Sequence, residues 1–185
     1  MTAAAHLPMK AAYADPPYLG PAQEFYGELH PNAAEYDDPE THKRLIERLS
    51  DEFDAWALSM TSTTLRLMLP WCPEDVRVGA WCKSFASFKP NVTHAYAWEP
   101  VLFRFHRKRT REQGTWRDFI VCPITLKRGF RGAKPDPVCF WIFEGLNLLD
   151  GDEFVDLFPG SGAVTQAYEK WCKRDKVEQF ALAAS

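Results

Sequence analysis

Short apolar runs alternate with amphipathic stretches along the chain, and prolines and glycines separate them. The first run, Lys10 to Ala14, stops at Asp15-Pro16-Pro17-Tyr18. Two prolines cannot continue a strand ladder, so a strand is predicted with Asp15 at its C-terminal tip. A polar loop marked by Gly20, Pro21, Gly27 and Pro31 follows. Asp38-Pro39-Glu40 reads as a helix start: an N-cap acid, proline at the first position, an acid in the first turn. Leu45, Ile46, Leu49 and Phe53 give that helix one apolar face.

Residues 54–60 predict a second strand, and residues 61–69 a short helix closed by Pro70. Residues 75–83 and Val101 to Phe105 predict a third and a fourth strand joined by a loop, and residues 118–122 a small strand. A helix is expected over residues 136–149, after Lys134-Pro135, and a turn at Asp150-Gly151-Asp152. Residues 154–158 form the last predicted strand, which opens through Pro159-Gly160-Ser161-Gly162 into a helix from Ala163 to about Lys173. Strands alternating with helices predict an α/β fold with one mostly parallel sheet covered on both faces.

The length of 185 residues suits a single domain over 1–185. No run of 18 or more apolar residues occurs, so no membrane span is expected. Residues 1–9 lack a basic start and an apolar run, which points away from a secretory signal and toward the cytoplasm. The five cysteines are odd in number and at least ten residues apart, which excludes CxxC pairs and argues for free thiols. The five histidines show no ligand spacing, so no metal is expected.

Charge is unevenly distributed. The chain carries −3 in total, yet residues 104–134 hold ten Lys or Arg against two acids. Such a stretch reads as an electrostatic footprint for nucleic acid, carried by Arg104, Arg107, Lys108, Arg109, Arg111, Lys127, Arg128 and Arg131, with Trp116 and Phe130 as stacking candidates. His94, Tyr96, Trp98 and Glu99, just ahead of a strand, are candidates to line a base pocket.

Two strand ends carry the candidate chemistry. Asp156-Leu157-Phe158-Pro159-Gly160-Ser161-Gly162 is a strand entering a glycine turn that opens a helix. Glycines there allow positive φ and close approach of backbone to ligand, as at the carboxyl edge of doubly wound sheets. Asp15-Pro16-Pro17-Tyr18 also ends a strand. In a parallel sheet the two tips can be neighbours despite the 141 positions between Asp15 and Asp156.

Asp15-Pro16-Pro17-Tyr18, followed by Lys134-Pro135 and by Asp156-x-Phe158-x-Gly160-Ser161-Gly162, resembles the S-adenosylmethionine-dependent amino-methyltransferases of the DPPY type, which modify adenine N6 or cytosine N4 in DNA. The motif order is that of permuted members, and the match is similar to small methylases of actinobacteria and their phages. The resemblance implies a single Rossmann-like methyltransferase sheet, circularly permuted and truncated on the cofactor side. It divides the domain into a catalytic-motif half (10–105), a basic nucleic-acid-facing segment (104–134) and a cofactor-binding half (134–175).

The resemblance further implies that Asp15 and the Pro16 carbonyl accept hydrogen bonds from the target amino group, that Pro17 keeps the tip rigid and that Tyr18 stacks on an extruded base. Asp156, Phe158, Pro159, Gly160, Ser161 and Gly162 would cradle S-adenosylmethionine, with Lys134 and Pro135 beside it. The choice of Asp at the first motif position leans toward adenine N6 in DNA. RNA, cytosine N4 or a protein amide are the alternative substrates. Enzymes of this type usually carry a ribose-binding acid after a further strand; here only Asp175 and Glu178 occupy that window, with Phe180-Ala181-Leu182 as a strand stub. A non-catalytic nucleic-acid-binding module on the same fold is therefore the rival expectation.

Overall fold

The computed structural model describes residues 7–20, 22–27, 32–84, 93–124 and 133–174. Its strands are β1 (Lys10–Ala14), β2 (Ala55–Ser59), β3 (Arg77–Cys82), β4 (Trp98–Arg104), β5 (Phe119–Val121) and β6 (Glu153–Asp156). Helices are α1 (Ala22–Tyr26), α2 (Pro39–Glu52), α3 (Leu65–Met68), α4 (Asp136–Gly145) and α5 (Ala163–Cys172). The six strands form one sheet in the order β5-β3-β4-β2-β1-β6. β6, β1 and β2 are parallel neighbours, β4 runs against both β2 and β3, and β5 is parallel to β3. Five strands therefore share one direction and β4 alone is reversed.

Both faces of the sheet are covered. Ala11, Tyr13, Ala57, Val101 and Phe103 point toward α4 and α5, packing on Val138, Phe143 and Trp171. Ala12, Trp56, Leu58 and Leu102 point the other way, onto Ile46 and Leu49 of α2 and onto Met68. The alternation within each strand is the period-2 rule acting on a sheet buried on both sides. Each fully buried Leu, Ile or Phe in these layers contributes about 1.5–3 kcal/mol.

Local chemistry accounts for most element boundaries. Asp38 accepts a hydrogen bond from the Glu40 N–H at 3.0 Å, so α2 starts where its cap and Pro39 direct it. The chain between β3 and β4 carries no helix among its described residues, and the two strands pair antiparallel. α4 stops at Gly145, short of the expected residue 149, because Asn147 takes a left-handed φ of 55°. The Asn147 N–H then bonds to the Glu144 carbonyl and the Leu148 N–H to the Phe143 carbonyl, a Schellman closure built on asparagine. Residues 61–69 give only the four-residue α3, continued by a 3-10 turn over Leu69–Trp71 that includes Pro70.

The expected loop at 20–31 contains α1, whose first turn is held from afar. The Asp37 carboxylate accepts N–H groups of Gly20 (3.1 Å), Ala22 (2.9 Å) and Gln23 (3.0 Å). Among the described residues β6 is the last strand at its end of the sheet. Asp175, Glu178 and Phe180-Ala181-Leu182 lie outside the described residues.

Candidate functional site

β1 and β6 are adjacent and parallel, with Tyr13 opposite Asp156 and the Leu157 N–H donating to the Tyr13 carbonyl at 3.0 Å. The chain therefore leaves the sheet at the same level toward Asp15-Pro16-Pro17-Tyr18 and toward Pro159-Gly160-Ser161-Gly162. Both tips stand at the carboxyl edge of the parallel strands, where α/β sheets hold ligands.

Pro16 and Pro17 are buried, and Asp15 and Tyr18 are half-buried at the rim. Asp15 Oδ1 accepts a hydrogen bond from Lys134 Nζ at 3.0 Å and lies 3.0 Å from the Tyr18 hydroxyl, whose single proton it shares with Glu99. The same ammonium contacts the Tyr18 oxygen at 3.1 Å and donates to Glu99 Oε1 at 2.5 Å. The Tyr18 hydroxyl also lies 2.7 Å from Glu99 Oε1, and Glu99 Oε2 pairs with Lys83 Nζ at 3.3 Å. Trp81 lies behind the group, its ring 5.4 Å from Lys134 Nζ and 5.0 Å from Lys83 Nζ. Asp15, Glu99, Lys134 and Lys83 thus form a chain of alternating charge that sums to zero.

Burial sets the protonation of this chain. It pushes the Asp15 carboxyl above its ordinary value, aided by the Glu99 charge and opposed by Lys134. Burial acts the same way on Glu99, but the ammoniums of Lys134 and Lys83 outweigh it and hold that carboxyl below its usual range. On Lys134 burial disfavours the charge, yet Asp15 and Glu99 raise its affinity for the proton well above that of a free lysine. Desolvation and the two carboxylates keep Tyr18 protonated far into the alkaline range.

The second tip is organised by its own acid. Asp156 Oδ1 accepts the Phe158 N–H at 3.3 Å and Oδ2 the Thr165 hydroxyl at 3.0 Å, tying the end of β6 to the first turn of α5. Phe158 packs edge-on against Tyr36 at 5.5 Å. Pro159, Gly160 and Ser161 are exposed. Gly160 and Gly162 have φ of 43° and 74°, and Gly162 is the N-cap of α5, with no side chain capping that end. Among the described residues, a Cβ on Gly160 would meet only the Phe158 carbonyl at 3.8 Å, and one on Gly162 only Gln166 at 3.5 Å, both ordinary contacts.

Asp15, Tyr18 and Lys134 therefore meet in one cluster, with Pro16, Pro17 and Pro135 buried around it and the stretch from Asp156 to Gly162 on the neighbouring strand. Lys134, expected beside a cofactor, instead directs its ammonium at Asp15. No motif marks Lys83, and the sequence offers Glu99 only as a candidate to line a base pocket; both reach the cluster because β3 and β4 pair antiparallel with Trp81 opposite Glu99.

The basic segment is placed differently from the expectation. β4 is reversed, so Arg104 lies opposite Trp56 near the start of β2, at the amino edge of the sheet. A five-residue strand is roughly 16 Å long, which separates that edge from Asp15. Arg104 bonds to Asp75 and to the Ser50 carbonyl. Arg107 grips both oxygens of Asp152 at 2.8 Å, and Arg109 binds Glu144 and the carbonyls of Gln113, Gly114 and Glu144. These three guanidiniums are engaged within the protein, away from the Asp15 cluster. Lys108 and Arg111 are exposed on the same remote stretch. Trp116 packs among Phe103, Phe105 and Trp141, and its indole N–H donates to the Trp141 carbonyl at 3.1 Å. Lys127, Arg128, Phe130 and Arg131 lie outside the described residues.

No protein-family model and no curated protein sequence matches the chain. In fold, it is similar to the crystal structure of the M1.HpyAVI-SAM complex, with a TM-score of 0.57 at 14% sequence identity, over 96% of this chain and 87% of that one. The chain thus shares the mixed α/β, Rossmann-like fold of that structure, with a single six-stranded sheet among the described residues.

Proposed function

We propose that the protein transfers a methyl group from S-adenosylmethionine to the exocyclic amino group of a nucleobase, adenine N6 in DNA. The observation that carries this reading is the adjacency of the Asp15-Pro16-Pro17-Tyr18 tip and the glycine turn on neighbouring parallel strands. The similar fold of the M1.HpyAVI-SAM complex supports the same cofactor.

The glycine turn fits such a ligand. Its exposed backbone from Pro159 to Ser161, the positive φ of Gly160 and Gly162, and the N–H groups of α5 that no side chain caps suit the carboxylate and ribose of a methionine-linked nucleoside. Asp156 and Phe158 would hold the turn in shape from below, through Thr165 and Tyr36. S-adenosylmethionine supplies a sulfonium-bound methyl, whose C–S electron pair stays on sulfur as the new N–C bond forms.

The chain supplies acceptors for the amino group. An aromatic amine donates its lone pair into the ring and is a poor nucleophile. Asp15 Oδ2, which takes no hydrogen bond from the described residues, and the Pro16 carbonyl would accept its two N–H groups, favour sp³ geometry and stabilise the positive charge that develops on nitrogen. The ammonium so formed loses one proton to Asp15 or to water, leaving a neutral methylamino group. Pro16 and Pro17 hold these acceptors without backbone play. Tyr18 offers its ring to the base, and Tyr96 and Trp98, exposed at the same edge, offer further stacking surface.

Mass spectrometry of nucleosides from DNA incubated with the protein and S-adenosylmethionine tests the reading. N6-methyladenine made by the wild type and absent with Asp15→Ala is expected. Methyl label on another base or on protein changes the substrate, and no cofactor binding at all removes the reading.

A further inference from the structure

The ionic chain behind Asp15 has a feature that stability does not explain. Lys134 and Glu99 expose only 5% and 8% of their side chains, and the lysine reaches Asp15 across 119 positions of sequence. Burying such ions costs several kcal/mol each, and well-packed apolar residues of similar volume are commonly as stable or more so. What the pair does supply is geometry. Both polar contacts that the described residues make to the Asp15 carboxylate fall on Oδ1, a hydrogen bond from Lys134 Nζ and the Tyr18 hydroxyl whose proton is shared with Glu99, each at 3.0 Å. Glu99 fixes the other side of the same ammonium, and Lys83 fixes Glu99. A carboxylate pinned through one oxygen cannot rotate freely about its terminal torsion.

We propose that Lys134, clamped by Glu99, is a positioning residue that anchors Asp15 through Oδ1 so that Oδ2 faces the incoming amino group. The inference rests on the function proposed above and assigns Lys134 to the catalytic carboxylate instead of the cofactor. Neither Lys134 nor Glu99 touches the substrate; both act through Asp15. The anchor is electrostatic as well as steric, because the Lys134 charge opposes protonation of Asp15 and the Glu99 charge favours it. Among the described residues, the other titratable groups facing Asp15 are Tyr13 and Tyr18, both held protonated by burial, and Cys139 of α4, whose thiol is pushed up to about 12.

The test combines two readouts on the full chain and its Lys134→Met, Lys134→Arg and Glu99→Gln variants, each checked for folding by circular dichroism. The first is the titration midpoint of the Asp15 carboxyl, followed by carbon NMR without cofactor or DNA. Lys134→Met should move it up by about one pH unit and Glu99→Gln should move it down. The second is methyl transfer to DNA as a function of pH. Lys134→Met should lower kcat at least tenfold with KM for DNA within twofold, and its acid limb should follow the NMR midpoint; Lys134→Arg should recover part of kcat. A lysine serving only as packing would give no opposed shifts. Unmoved Asp15 midpoints, or shifts in the same direction for Lys134→Met and Glu99→Gln, overturn the proposal. Opposed shifts in a protein that methylates nothing would keep the Asp15 anchor and remove the function assigned to it. Where Lys134→Met does not fold, the Glu99→Gln and Lys134→Arg arms decide alone.

Discussion

Tyr13 and Asp156 face each other across the parallel β1–β6 ladder, and two residues beyond Tyr13 the chain reaches Asp15. That one register brings a Pro-rigid carboxylate and a glycine turn to a common edge from opposite ends of the sequence. Removing the carboxylate should therefore affect chemistry without affecting the turn. Asp15→Ala is expected to lower methyl transfer by about 10²–10³-fold, the scale seen when one preorganised hydrogen-bonding group at a developing charge is lost. Calorimetric affinity for S-adenosylmethionine should stay within a few-fold of wild type. A parallel loss of cofactor binding would place Asp15 in the wrong role.

The glycine turn makes the converse prediction. Gly162 sits at φ 74°, and a Cβ there would make only an ordinary contact with Gln166 at 3.5 Å, so a side chain meets backbone strain rather than a clash. Gly162→Val should cost about 1–2 kcal/mol from the left-handed conformation alone. The turn should relax away from that conformation and weaken cofactor affinity about tenfold. Titration calorimetry checks the affinity and thermal melting the strain.

Local sequence made much of this fold legible. The tip at Asp15, the cap at Asp38 and the glycine turn are short-range features, since prolines, a capping acid and glycines act on their own neighbours. What stayed hidden depends on partners far away. α1 is held by Asp37, 14 to 17 residues downstream, so nothing at residues 22–26 announces it. α4 ends early because Asn147 adopts a conformation usually left to glycine. Charge density along residues 104–111 does not say which edge of a sheet those side chains occupy; the reversal of β4 decides that. The same reversal delivers Glu99 and Lys83 to Asp15, and no spacing in the sequence encodes it.

The arginines of the amino edge should behave as structural groups. The Asp152 side chain is fully buried and takes both Arg107 hydrogen bonds together with the N–H groups of Met9 and Leu149. Arg107→Ala removes the guanidinium and its two hydrogen bonds from this carboxylate and should cost about 1.5–3 kcal/mol. Burial alone would raise the Asp152 carboxyl, but the Arg107 and backbone donors outweigh it and hold it below its ordinary value. The folded protein therefore keeps a charge that the unfolded chain surrenders first on acidification. This contribution is intact at neutral pH and disappears as the pH falls below about 4. Urea melts of wild type and Arg107→Ala at pH 7 and pH 3 should converge at the lower pH. A phosphate-binding Arg107 would instead change the salt dependence of DNA affinity and leave stability alone.

Gly145 closes the aromatic layer beneath the sheet. A Cβ there would stand 2.8 Å from the Trp116 ring and 3.0 Å from Phe103. Trp116 is stacked on Trp141 and bonded to its carbonyl, so it has little room to retreat. Gly145→Ala should destabilise by about 1–3 kcal/mol through overpacking, despite the better helix propensity of alanine. Denaturant unfolding measures it, and a stabilised variant would show that the layer is loosely packed.

Tyr96 and Trp98 are 54% and 39% exposed at the edge that carries Asp15, where a soluble surface would ordinarily favour polar residues. Base–aromatic stacking is worth about 1–3 kcal/mol per base and tolerates any sequence. If these rings receive nucleic acid, Trp98→Ala and Tyr96→Ala should each weaken binding of a single-stranded oligonucleotide by about 5–100-fold. Tyr96 is about half solvated, so Tyr96→Ala should change the melting temperature little, and Trp98→Ala, which removes a more covered ring, should lower it more. Replacing Lys108 or Arg111, at the far edge, should leave affinity nearly unchanged. Fluorescence anisotropy on the four variants separates the two surfaces: a loss confined to the aromatic pair assigns the nucleic acid to the carboxyl edge, and a loss confined to the basic pair assigns it to the opposite side of the molecule, away from Asp15.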